Sequence, residues 1–223
     1  MNRRAPKIKT EVRQEQIAQA ALTLIARRGL NHVNIGELAK EVGVVPSAIY
    51  RHFQGKDDVL DSVLELISKN LLANVAAVRE ATSDPLERLR ALLRRHVELV
   101  RHQSGIPRVL FSEQIFAGNP ERRRRVHHIL QEYLQEIAGM IDEGQRKGAI
   151  RTDLQPGTVA LMFLGLVQPA VILWLMSNGS FDVARHVERA WHLFREMLRP
   201  GVTKGRGIRS LGKKTKGGNQ PRE

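Results

Sequence analysis

Cysteine is absent from all 223 residues, which excludes a disulfide framework and any thiolate metal site. Acid is scarce: 23 aspartates and glutamates face 36 lysines and arginines, for a formal charge of +13. Catalytic constellations are also missing. No serine, histidine and carboxylate set stands out, and no two carboxylates are placed for acid and base roles, so an enzyme is not expected. His127 and His128 are adjacent and diverge by about 100° on a helix. His96 and His102 are six apart and converge no better, so no metal site is expected. Gly205 and Gly207 follow no strand and form no nucleotide fingerprint, and no cofactor is expected. The basic segment Met1 to Lys9 runs into a charged amphipathic stretch where a secretion signal would have an apolar one. Together with the missing cysteines this points to a reducing cytoplasm.

Long apolar runs are nearly absent too. The exception is Val159 to Met176, free of charge throughout and long enough to pose a membrane question. Gln168 and Pro169 interrupt it, and an uncharged helix is equally expected where two subunits bury it together, so no membrane partner is expected. The positive excess lies mostly at the ends. Residues 1–10 carry Arg3, Arg4, Lys7 and Lys9 with no acid, and residues 201–223 carry seven cations against Glu223, which leaves +3 for everything between. Flexible basic ends can follow a phosphate backbone but cannot read sequence. Arg3 and Arg4 form an arm placed to reach a minor groove ahead of the first helix. The tail, rich in glycine, lysine and arginine, is predicted disordered. It is either a solubilising extension or a source of salt-sensitive DNA affinity.

What is present is concentrated in residues 34–54. Ile35, Leu38, Ala39 and Val42 fall at helical spacing and make one buried stripe. Asn34 can cap that helix, and Glu37 three residues on suggests a capping box. Gly43 sits where the chain needs a left-handed turn, and Pro46 suits the first turn of the next helix. In that helix Ile49 and Phe53 face inward, while Ser47, Tyr50, Arg51 and Gln54 face out. Such a pair is either an ordinary helical hairpin or a helix-turn-helix that offers its outer face to a major groove.

The run from Ile35 to Leu60 resembles the DNA-binding domain of the TetR family of bacterial transcriptional regulators. The residues that carry the resemblance are Leu38, Ala39, Gly43, Val44, Ile49, Tyr50, Phe53, Lys56 and Leu60. One position departs: Val45 stands where that family most often has a capping serine or threonine. The resemblance implies an all-α homodimer, with an N-terminal three-helix helix-turn-helix DNA-binding domain followed by a helical effector-binding and dimerisation domain. It implies that helix 46–52 enters the groove and that Tyr50 and Lys56 contact phosphate. Ser47, Ala48 and Arg51 are then expected against base edges, Asn34 against phosphate, and Pro46 among the DNA-binding residues. His52, facing sideways, either touches DNA or packs. The implied function is a repressor of a palindromic operator in double-stranded DNA, released by a small effector. The alternative is a ligand-independent architectural or nucleoid-occlusion protein of the same fold.

The expected organisation is a basic arm over 1–10, a reading head over 11–56, a helical domain over 57–200 and the tail over 201–223. A long stripe from Val59 to Leu71 marks a helix joining the head to the rest. Helices are also predicted after Asp84-Pro85, over 106–116, from Asn119-Pro120 to about Gly148, and after Asp182. The last of these and the uncharged run are the expected dimer interface. Arg122 to Arg125 reads as a solvated face or as an anion site. Phe111, Phe116, Tyr133, Met140, Phe163 and Trp174 are candidate lining for an effector pocket, each equally at home in a core. With few polar residues among them, the effector is expected to be apolar or amphipathic.

Overall fold

A computed structural model describes residues 10–200, so the arm's Arg3 and Arg4 and the basic tail lie outside the described residues. Ten α-helices run through that span. α1 (Thr10–Arg28) buries Ile17, Ala18, Ala21, Leu22, Leu24 and Ile25 and ends on Arg27 and Arg28, which complement the negative helix end. A short 3-10 turn leads to α2 (Ile35–Val42). The Asn34 side chain accepts a hydrogen bond from the Glu37 amide at 2.9 Å, and Gly43 ends the helix at φ 73°. The other half of the capping box does not form. Instead the Glu37 carboxylate takes Lys40 at 2.9 Å and Arg28, and these cations, Lys40 foremost, hold it below the usual carboxylate range.

α3 (Pro46–Ile49) is shorter than predicted: residues 50–52 leave the helix as a turn. Val45 supplies no side-chain cap, as its apolar side chain dictates. α4 (Lys56–Ala81) spans 26 residues, about 39 Å at helical rise, and packs on α1, α5 and α7. It opens with the Gln54 amide donating to the Asp58 carboxylate at 2.8 Å.

α5 (Pro85–His102) starts on an Asp84 cap that accepts from the amides of Leu86 and Glu87 at 2.8 and 3.1 Å. The predicted helix 106–116 is two pieces: α6 (Gly105–Leu110) and a single π turn over Gln114–Gly118. Ser112 causes the break. Its hydroxyl bonds the Val109 carbonyl at 2.9 Å and accepts from the Ile115 amide, competing with the helix's own bonds. α7 (Pro120–Arg146) then crosses the domain, capped by Asn119. The apolar run divides into α8 (Pro156–Gly165) and α9 (Gln168–Met176), and α10 (Val183–Leu198) follows. By length and composition alone Pro156–Met176 could cross a membrane. Here it bends, burying Val159, Ala160, Phe163, Leu164, Val167, Ala170 and Val171.

Candidate nucleic-acid interface and effector cavity

The outward face of the second short helix is as its spacing predicts. Ile49 is fully buried and Phe53 nearly so, which rolls Pro46, Ser47, Tyr50 and Arg51 into solvent, with Ala48 half-covered. A serine hydroxyl, a phenol and a guanidinium side by side can donate to phosphates and to guanine edges. Three expected contacts are placed differently from the rest. Lys56 is half-buried and its ammonium donates to the Leu30 carbonyl at 3.2 Å, so it ties α4 to the 3-10 turn. Asn34 is exposed, but its carbonyl oxygen is engaged in capping α2. His52 takes the packing side of its two alternatives: it is half-buried, with Nδ1 enclosed and unpartnered among the described residues, and its carbonyl accepts from Gln14 at 3.3 Å.

Behind this head the helices meet at a close junction. Gly105, the first residue of α6, lies so near α1 that a Cβ there would fall within 3.0 Å of the Leu22 carbonyl oxygen. Only glycine allows that approach. Beside it Asn70 of α4 donates to Gln103 at 3.2 Å, and Gln103 donates to Gln19 of α1 at 3.4 Å.

A second tie corrects the reading of the arginine run. Arg122 is 8% exposed and neither solvated nor free for an anion: its guanidinium donates to Asp57 and Asp61 of α4, each at 3.2 Å. Arg125 pairs with Glu65 on the same helix, whereas Arg123 and Arg124 point outward. A run of four like residues gives no sign from spacing alone of which one turns inward. The acids in the first turns of α4 were the available signal.

The cavity lies where α4, α5, α6, α7, α8 and α9 converge. Leu71, Leu99, Val100, Ile106, Pro107, Leu110, Phe111, Leu130, Leu164 and Val171 line it, with His96, Tyr133 and Gln168 as its polar members. It is a narrow seam with room for about 20 Å³, close to one water. Of the six candidate lining residues, Phe111 and Tyr133 are there. Phe163 and Met140 are core, Phe116 is exposed on the π turn, and Trp174 packs half-buried on α9. Volume on an inner helix face does not say which side of that face meets a gap. Sequence reasoning assigned His96 no role here, although its place among Leu92, Leu93, Val97 and Val100 put it on the inner face of α5.

His96 Nδ1 and the Tyr133 hydroxyl are 3.1 Å apart in this seam, with ring centroids 5.7 Å apart. Burial alone lowers the His96 pKa from 6.5 to about 4 and pushes the Tyr133 phenol up. The pair is therefore neutral at physiological pH.

A polar helix face in a three-helix head, joined through α4 and α6 to an apolar seam, defines a helix-turn-helix DNA-binding regulator with a separate sensing region. The chain belongs to the tetR family of bacterial regulatory proteins. Residues 17–63 match that family, and residues 82–198 match the tetracyclin repressor-like C-terminal domain. It is similar to the fatty acid metabolism regulator protein of Bacillus subtilis, 24% identical over 168 residues, which is 75% of this chain and 86% of that protein. It is also similar to the nucleoid occlusion factor SlmA of Shewanella pealeana, 23% identical over 194 residues, covering 87% of this chain and 97% of that one. Among solved structures, the transcriptional regulator FadR from Bacillus subtilis in complex with stearoyl-CoA aligns with a TM-score of 0.69 at 23% identity, over 82% of this chain and 98% of that chain. That likeness shows a shared fold.

Proposed function

We propose that this transcriptional regulator is a cytoplasmic homodimeric repressor that grips a palindromic operator and leaves it when a long apolar or amphipathic molecule, of the fatty acyl class, enters the seam. The seam carries the proposal, because part of its lining, Leu71 on α4 and Ile106, Pro107 and Leu110 on α6, sits on helices that pack against α1 of the reading head. Parting those helices tilts the head, so ligand affinity and DNA affinity are coupled. In this reading residues 11–56 read DNA and residues 57–200 sense and dimerise. Ser47, Ala48 and Arg51 meet base edges, and Tyr50 meets phosphate. Lys56 acts by positioning, through the Leu30 carbonyl. Dimerisation falls to α8, α9 and α10, which expose the large apolar side chains Leu161, Met162, Ile172, Leu173, Met176 and Leu193 that a partner would cover. Pairing there would set two recognition helices about 34 Å apart.

The SlmA likeness favours a second reading, a DNA-bound protein without a small ligand. One experiment separates them. The purified full chain is used to select from a randomised duplex library, and the enriched duplex is then challenged with stearoyl-CoA. A palindrome with half-sites one helical turn apart, released by stearoyl-CoA, supports the repressor. A palindrome held unchanged, with no acyl-CoA bound in a direct titration, supports the second reading. No enriched palindrome, or a monomer in sedimentation, refutes both the operator and the dimer.

A further inference from the structure

The His96 and Tyr133 pair has capacity that the fold does not use. One bond between them engages one of two imidazole nitrogens and one of the phenol's hydrogen-bonding positions. Both groups line the seam, together with Gln168, the only other polar lining residue. No lysine, arginine, aspartate or glutamate is among the lining residues, so the seam offers hydrogen bonds but no counter-charge. Arg95 and Arg101 of α5 and Arg108 of α6, neighbours in sequence of lining residues, are exposed and not among the lining. On α5, Arg90 and Arg94 are committed to Glu188 of α10, and Arg88 to Glu143 of α7.

We propose that His96 and Tyr133 are a neutral anchor that selects a hydrocarbon ligand whose buried polar group is an uncharged oxygen, in a hydroxyl, ester or thioester, and that rejects the same chain ending in a carboxylate. This rests on the effector reading above and narrows it. An uncharged oxygen can accept from the pair, and a hydroxyl can also donate to it, without bringing a charge into an apolar site. A carboxylate would have to leave water for a site with no cation, and a hydrogen bond or two does not offset that loss. His96 supplies no cation of its own at neutral pH, since burial keeps it neutral. The remaining lining residues, Leu71, Leu99, Ile106, Leu130 and Leu164 among them, suit the hydrocarbon.

The test uses the full-length protein at pH 8 with three ten-carbon probes: 1-decanol, methyl decanoate and sodium decanoate, each titrated calorimetrically. The alcohol and the ester are expected to bind at least tenfold more tightly than the carboxylate, a gap of about 1.4 kcal/mol. Leu164→Trp, which fills the seam, is expected to weaken the first two at least tenfold. Tyr133→Phe is expected to shrink the alcohol-to-carboxylate ratio below threefold while the ester still binds. Should Tyr133→Phe fail to fold by circular dichroism, the ranking of the three probes on the parent protein still decides. Decanoate binding as tightly as decanol, and blocked by Leu164→Trp, would overturn the neutral anchor and leave the effector seam standing. Binding that Leu164→Trp does not alter, or no binding by any probe, would remove the seam as a ligand site and the anchor with it.

Discussion

Replacing Gly105 by alanine tests the junction between sensing and reading regions most directly. The added methyl would fall within 3.0 Å of the Leu22 carbonyl oxygen and 3.1 Å from its carbon, so α6 must withdraw from α1 until ordinary contact near 3.4 Å is restored. The obstacle is backbone in the middle of α1, which cannot swing aside as a flexible side chain would. Overpacking of this kind costs about 1–3 kcal/mol. Alanine returns up to about 1 kcal/mol through its better helix propensity, less here because Gly105 is at the helix's first position. The net loss is therefore about 1–2 kcal/mol. For a chain of this size each kcal/mol lowers the melting temperature by about 2–4 °C, so a drop of about 2–8 °C is expected in calorimetry. Because α6 carries Ile106, Pro107 and Leu110 of the seam and Phe111 follows at its end, the same shift should weaken binding to the selected palindrome, measured by fluorescence anisotropy. Gly118→Ala is the control, since a methyl there meets nothing within 4 Å. It is expected to leave stability unchanged or raise it by up to about 1 kcal/mol. A Gly105→Ala protein that melts and binds DNA like its parent would refute the reasoning.

Stability should fall in acid through His96. Below pH 6.5 the unfolded chain takes up a proton that the buried ring refuses until about pH 4, so stability is complete above 6.5 and declines between those values, by about 2 kcal/mol at pH 5. Urea melts of the parent and of His96→Gln at pH 7.5 and pH 5 check this, and equal slopes with pH in both would contradict it. Arg122→Met is expected to cost no more than about 1 kcal/mol, because Asp57 and Asp61 are 79% and 41% exposed and rehydrate once freed. Converting both acids to asparagine strands a buried guanidinium and should cost more. The opposite order in thermal melts would show that the pair is held for another reason. Arg51→Ala should weaken the selected operator by about 1–3 kcal/mol and relax base preference at one position, whereas uniform weakening on every duplex would place Arg51 on phosphate.

Periodicity carried most of the fold. The stripe on α2, the left-handed Gly43 and the inward Ile49 and Phe53 are all local facts, written within one or two helical turns. Caps at Asn34, Asp84, Asn119 and Asp182 were legible for the same reason. The site was less so. That Lys56 bonds the Leu30 carbonyl, that Arg122 and not Arg123 turns inward, and that Phe163 is core while Phe111 meets the seam all depend on partners distant in sequence. Helical spacing fixes a direction around an axis. It does not say what the neighbouring helix has placed there. The break after Leu110 was missed on a smaller scale, because a serine hydroxyl competing for a carbonyl leaves the apolar pattern intact.

The tightness of the seam between α6 and its neighbours has a kinetic side. In the proposed reading an effector many times larger than one water would enter only when the helices around the seam part, so its capture would be set by that opening and not by collision. Uptake should then be slow and steep in temperature, and brief surges of ligand would pass before the operator is vacated. A repressor gated in this way would respond to sustained supply and ignore noise.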